Sequence, residues 1–280
     1  MVRSLSRRAE AFPFDWRGSF RYKDTTMIKV RQALKESIAS APPQTTVRAA
    51  VDVMRRERTD ALLIGEHGTF TGIVTEVDIV HDVIASGLDP AVTPIERVMS
   101  RPLREVEADC SIAEASEVMA RERMRHLAVR DRGRIVGLFS VRDFLETNSL
   151  PLAPARQVMS SPVHSVALGT TARAAAVELK QQRHGSLLVT RGDAPVGIVT
   201  ESDLVHKIVG RDLSPAETTI EQIMSAPLVS VDVNQPVESV RELMAKRRIR
   251  HLGVTEQGRI VGVISARDLL HPTYYEVIGW

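Results

Sequence analysis

Apolar and polar positions along the chain fall into a short pattern that keeps returning. The stretch Ile112 to Arg121 reads as a helix, opened by Ser111 and Glu114 at the spacing of a capping box. A brief continuous apolar run follows, Leu127 to Val129, with a counterpart at Leu187 to Val189; runs this short read as buried strands. Next comes a polar, glycine-bearing turn (Asp131-Arg132-Gly133-Arg134 or Glu256-Gln257-Gly258-Arg259) and a second strand, Ile135 to Ser140 or Ile260 to Ser265. A closing helix starts at an acidic residue, as in Glu76 to Ser86, and Gly87 is placed to stop it. Val163-His164-Ser165-Val166 and Leu228-Val229-Ser230-Val231 predict a strand ahead of the first helix. The unit is therefore β-α-β-β-α, an α+β fold. Two helices on one face of a three-stranded sheet leave the other face apolar, so such units are expected in pairs.

The repetition is regular. Gly72-Ile73-Val74-Thr75-Glu76-Val77-Asp78 returns as Gly197-Ile198-Val199-Thr200-Glu201-Ser202-Asp203, and Arg125-His126-Leu127 returns as Arg250-His251-Leu252, both 125 residues later. Gly137 to Asp143 and Gly262 to Asp268 keep that offset, as do Arg31-Gln32 with Arg156-Gln157 and Arg48-Ala49-Ala50 with Arg173-Ala174-Ala175. Within each half, Asp78 to Asp143 and Asp203 to Asp268 are both 65 residues. The chain is a duplicated pair. Residues 30–150 form the first module (units 30–90 and 95–148) and residues 151–272 the second (units 155–213 and 220–271). Tails of 1–29 and 273–280 flank them.

Composition sets the class. With 43% apolar and 26% charged residues the chain reads as a globular protein, and 280 residues are enough for two domains, each with its own core. No stretch approaches the roughly 18 apolar residues of a membrane span, and the N-terminus is too charged for a signal peptide. The single cysteine, Cys110, excludes an intrachain disulfide, fits a cytoplasmic location and is expected to pack beside a helix start. Charge and aromatics gather at the ends. Residues 1–31 hold eight Arg and Lys against three acids, and five of the eleven aromatics lie in the first 22 residues.

Val98-Met99-Ser100-Arg101-Pro102, Val158-Met159-Ser160-Ser161-Pro162 and Ile223-Met224-Ser225-Ala226-Pro227 open three of the units, and all four close on Gly-hydrophobic-x-Ser/Thr-x-x-Asp. Over residues 30 to about 271 the chain resembles the CBS-domain family, named after cystathionine β-synthase, in the paired form called a Bateman module. The first unit departs from the pattern: Ala33-Leu34-Lys35-Glu36-Ser37 replaces the Met-Ser-x-Pro opening, so a distorted first strand is expected. The resemblance implies four units closing into a flat disk within one chain, or two chains facing each other as a homodimer. It also implies a regulatory, non-enzymatic protein that binds adenosine ligands between paired sheets and modulates a partner.

The closing motif suits that task. A Ser or Thr before a helix N-terminus offers a hydroxyl and free amides to phosphate, and the Asp three residues on can accept from both ribose hydroxyls. Thr75 with Asp78, Ser140 with Asp143, Thr200 with Asp203 and Ser265 with Asp268 are the candidates. The competing reading is helix capping alone. Alternate units differ in charge: Arg125-His126 and Arg250-His251 stand where the odd units have Asp60-Ala61 and Gly185-Ser186, and Arg142 and Arg267 stand where the odd units have Val77 and Ser202. The resemblance makes Arg125, His126, Arg142, Arg250, His251 and Arg267 phosphate clamps; a solvated basic edge is the other reading. Inequivalent sites follow, with phosphorylated ligand in at most one cleft per module. AMP, ADP and ATP fit, S-adenosylmethionine less well. His81 and His206 are too few for a metal site, and no catalytic or dinucleotide motif is present.

The tail interleaves Arg7, Arg8, Arg17, Arg21 and Lys23 with Phe12, Phe14, Trp16, Phe20 and Tyr22. Cations neutralise phosphates and rings stack on unpaired bases, so RNA or a ribosome is one expected partner. Burial on the chain itself, a dimer mate or another protein is the other. An RNA- or ribosome-associated factor with the repeats as scaffold is thus the alternative to a nucleotide sensor.

Overall fold

The computed structural model describes residues 28–34, 38–147 and 153–270. The expectations for the Arg7 to Lys23 tail and for residues 273–280 lie outside the described residues.

Four three-stranded sheets carry the described residues. The leading strands are Ser40–Ala41, Glu105–Glu107, Ser165–Ala167 and Ser230–Asp232, each parallel to a middle strand. The middle strands are Ala61–Glu66, His126–Asp131, Ser186–Arg191 and His251–Glu256. Each is antiparallel to a closing strand: Thr69–Thr75, Arg134–Ser140, Ala194–Thr200 and Arg259–Ser265. The first leading strand has two residues against three in the others, the distortion expected where the Met-Ser-x-Pro opening is absent.

Local chemistry explains the elements. His67-Gly68, Arg132-Gly133 and Gln257-Gly258 all have positive φ at both positions, the backbone that a two-residue hairpin needs to match strand twist. Helices Val47–Glu57, Ile112–Arg121, Ala172–Gln182 and Val237–Arg247 link leading and middle strands. Thr46, Ser111 and Thr171 cap the first three by accepting an amide, and Glu114 completes the Ser111 capping box. The expected closing helix at Glu76 is α-helical only to Asp78 and continues as a π-helix, Ile79–Ile84; Glu201–Asp203 continues likewise through Leu204–Ile208. In the second unit the closing helix, Val141–Thr147, is α-helical.

The cores do not follow the modules. Two domains, each with its own core, were expected; among the described residues there are two cores, but each joins units from both halves. One packs Val51, Met54 and Ile79 of the first unit against Leu179, Leu204 and Ile208 of the third. The other packs Met119 and Phe144 of the second unit against Val240 and Leu269 of the fourth. Helical faces meet across the module boundary because each is too small to close a core alone. The sheets' other faces are covered as well: Leu62 and Ile64 point into the first core, while their neighbours Ala61 and Leu63 are equally buried outside it.

Within each module the segments leading into the units are exchanged. Ser100, at the start of the second unit, bridges Ile73 on the first unit's closing strand, Ser225 does the same to Ile198, and Ser160 bridges Val263. The glycine of each closing motif makes room for this crossing. A Cβ on Gly72 would sit 2.9 Å from the Ser100 carbonyl oxygen, and one on Gly197 would sit 2.8 Å from that of Ser225.

Candidate functional site

At each strand-to-helix junction the Asp side chain folds back on the Ser or Thr before it. Asp78 Oδ2 accepts from the Thr75 amide and hydroxyl, both at 2.7 Å, and Asp203 Oδ2 accepts from the same groups of Thr200 at 2.9 and 2.7 Å. Asp143 Oδ2 accepts from the Ser140 amide and hydroxyl at 2.8 and 2.6 Å, and Asp268 Oδ2 from those of Ser265 at 2.7 and 2.8 Å. Capping is thus present in all four.

The second carboxylate oxygen separates the junctions. Asp78 Oδ1 accepts from the Ser100 hydroxyl at 2.7 Å, so the exchanged segment closes it off; burial raises the Asp78 pKa while the Thr75 and Ser100 hydrogen bonds oppose the rise. Asp203 Oδ1 is taken by the Ser225 hydroxyl at 3.2 Å and by Lys207 Nζ at 2.7 Å. Asp143 Oδ1 accepts no hydrogen bond among the described residues, although Asp143 is only 7% exposed. The position matching Ser100 in the first unit is Lys35.

Asp143 opens onto a cavity of about 50 Å³ lined by Arg58, Asp60, His126, Ser140 and Arg142 among others. A larger cavity of about 500 Å³ adjoins it, sharing Arg58, Thr59, Asp60 and Arg142, and draws further walls from Ser202, His206, Arg248 and Arg250. All four units contribute to that central space, whose size falls in the range of small-ligand sites.

Charged side chains cross the centre in reciprocal pairs. Arg125 of the second unit meets Glu201 of the third at 2.7 Å, and Arg250 of the fourth meets Glu76 and Asp60 of the first. His206 Nε2 lies 3.1 Å from Glu76, and His126 Nε2 lies 2.9 Å from Asp60. Burial works against the Arg125 charge, but Glu201 and Glu76 outweigh it and its pKa is raised. Burial lowers Arg250 to about 10 and, with Arg125 adding to it, His126 to about 4. A neutral His126 donates Nε2–H to the Asp60 carboxylate.

This arrangement sorts the expected phosphate clamps. Arg125 and Arg250 are engaged by acids of the opposite module and reach an anion only by sharing those acids. Arg142 lines both cavities and has no ion-pair partner among the described residues. Arg267, its counterpart, has a buried Nε with no hydrogen-bond partner. His251 lies half-buried beside Arg250, Arg125 and Arg267, and desolvation first, then those cations, hold its pKa well below the imidazole range. His81 and His206 lie on the π-helical segments; His81 Nε2 is buried without a partner, and no group of three or more metal-ligating side chains occurs among the described residues. Cys110 is half-buried, and burial raises its pKa, away from thiolate chemistry.

Arg58 was not among the site residues expected from the sequence. It occupies a left-handed helix C-cap and lines both cavities; a basic residue at the same place in each unit (Arg58, Arg123, Arg183, Arg248) was the available signal.

Comparison with known proteins agrees with this architecture. The CBS-domain family matches residues 30–85, 95–149, 155–210 and 220–272. The CBS domain-containing protein CBSCBSPB1 of Arabidopsis thaliana is 25% identical over 283 aligned positions, covering 85% of this chain and 52% of the relative. The chain thus spans about half the length of that relative. YhcV of Bacillus subtilis, also a CBS domain-containing protein, is 28% identical over 49% of this chain and 97% of its own length. The crystal structure of protein MJ1225 from Methanocaldococcus jannaschii superposes with a TM-score of 0.76 at 20% identity, covering 89% of this chain and all of that one. No described helix is long and apolar enough to cross a membrane. Four matched repeats over most of its length place this chain in the CBS-domain family.

Proposed function

We propose that the chain is a non-enzymatic regulatory protein that binds an adenine nucleotide in the cleft between its first two units. The observation that carries this reading is the open Oδ1 of Asp143. Of the two closing aspartates in the first module, one is sealed by Ser100 and the other faces a cavity. Asp143 Oδ1 has no protein donor among the described residues and is open to the cavity, so a ribose hydroxyl can donate to it without displacing a protein partner. Arg142 and Arg58 stand where the cleft widens into the central space, so a phosphate on that ribose meets cations that have no ion-pair acid to give up. Arg250 and Asp60 line the same space, which ties occupancy to the ion pairs that hold the modules together. Occupancy of the cleft then changes how the modules meet, and a partner reads that change.

Calorimetric titration of the full chain with AMP tests this. Saturable binding is expected, lost at this cleft in Asp143→Ala, weakened at least tenfold in Arg142→Ala, and kept in Asp78→Asn; about tenfold corresponds to one ionic hydrogen bond of 1.4 kcal/mol or more. Four equal AMP sites, or binding indifferent to Asp143, would overturn it.

A further inference from the structure

Five arginines reach the central cavity of about 500 Å³: Arg55, Arg58, Arg142, Arg248 and Arg250. The acids on its wall are largely spent. Asp60 and Glu76 are held by Arg250, His126 and His206, which leaves Glu146. Arg58, Arg142 and Arg248 have no ion-pair partner among the described residues, and Arg55 shares Asp52 at 2.8 Å while its side chain stays 60% exposed.

The last turns of two helices from different modules, Val47–Glu57 and Val237–Arg247, meet over this space. Arg58 and Arg248 end them at φ of 52° and 55°, a left-handed position that favours glycine. A basic residue near a helix C-terminus interacts well with the helix dipole, and that accounts for Arg56 and Arg247 too. It does not account for two such ends converging on one cavity. Lys246 and Arg247, both exposed, extend the positive rim. The floor is apolar: Met54, Leu145, Met244 and Ile249 line the same space. Methionine is unbranched and polarizable, and it adapts to varied protein surfaces. No Phe, Tyr or Trp lines the cavity, the rings on which unpaired bases stack.

We propose that this face docks an acidic segment of a partner protein, with carboxylates on the rim of Arg55, Arg58 and Arg248 and an aliphatic side chain on the methionine floor, in competition with nucleotide phosphate. Charge complementarity selects the segment, since the cations without an ion-pair acid outnumber the one unspent carboxylate on the wall. The competition rests on the reading that AMP sits at Asp143 with its phosphate towards Arg142 and Arg58; the docking does not. A phosphate there sets like charge beside the segment's carboxylates and takes Arg58 from them, so nucleotide releases the partner.

Fluorescence anisotropy of the full chain with a fluorescein-labelled octapeptide of six glutamates and two leucines tests this, with a glutamine-for-glutamate peptide as control. Only the acidic peptide is expected to bind. Arg55→Gln/Arg248→Gly removes two rim charges and leaves glycine where φ is positive. It is expected to weaken binding about tenfold, about threefold for each exposed ion contact. Arg134→Gln, on a closing strand outside the cavity lining, should leave affinity unchanged. Saturating AMP is expected to weaken the peptide about fivefold in the parent and to have no effect in Asp143→Ala. Equal affinity in the double variant, confirmed folded by its melting transition, places the peptide elsewhere, the basic N-terminal tail included, and overturns the proposal. So does AMP that binds at Asp143 yet leaves the peptide's affinity unchanged. A polyadenylate oligonucleotide that depends on Arg55 and Arg248 where the peptide does not would overturn it as well, assigning the face to nucleic acid. If AMP does not bind while the peptide keeps its dependence on the rim, the nucleotide reading fails and the docking surface stands.

Discussion

Asp78, Asp143, Asp203 and Asp268 occupy the same place after their closing strands, and a hydroxyl from a distant segment decides what two of them can do. Ser100 and Ser225 turn Asp78 and Asp203 into sealed structural groups. The sequence spelled out all four motifs and both serines. It did not show that the serines fold back onto the aspartates, because that contact depends on an exchange of segments between units. Likewise Arg125 reads as a cation without a fixed partner until the fold brings Glu201 to it, 76 residues on. His126 gives the clearest prediction at this scale. Its folded pKa is about 4 against 6.5 in the unfolded chain, so between those values only the unfolded state takes the proton. The contribution is fully present above pH 6.5 and is lost as pH falls towards 4, by about 3 kcal/mol at most; His81 and His251 shift in the same direction. Urea unfolding at pH 7 and pH 4.5 is expected to show a smaller acid loss in His126→Gln than in the parent. Equal losses would contradict the assignment.

At the scale of elements, the order of strands and helices was legible because each turn carries its own chemistry. The capping box at Ser111 and Glu114 and the Gly133 and Gly258 hairpins form as the residues predict. The π-helical continuation after Asp78 and Asp203 was not legible, since Ile79 to Ile84 has nothing in its spacing that separates a π-turn from an α-turn. The glycine of the closing motif read as part of a signature; its physical basis is the close passage of the exchanged segment. Gly197→Ala sets a methyl against the backbone oxygen of Ser225 and is expected to cost about 1–3 kcal/mol in equilibrium unfolding. Gly169→Ala, with open space around it and no positive φ, serves as the control and is expected to be close to neutral.

For the whole molecule, the twofold repeat in sequence became two cores that each cross the repeat boundary. Residues such as Met54 and Leu179 announce that they are buried, but an apolar helix face does not name its partner. Shared cores joined by crossed ion pairs make the two modules one cooperative body, so a single calorimetric unfolding transition is expected and two resolved transitions would contradict it. Glu201→Ala leaves Arg125 charged, buried and unpaired, and is expected to lower the stability of that single transition by about 3–5 kcal/mol. A nucleotide at Asp143 sits beside this junction, which is why its binding is expected to reach beyond one cleft. The most direct test is a crystal structure of the full chain grown with AMP. The ribose hydroxyls are expected on Asp143 Oδ1 and the phosphate towards Arg142, with Asp78 still bonded to Ser100. Nucleotide seated on Asp78 or Asp203, or an Asp143 cleft empty at saturating AMP, would contradict it.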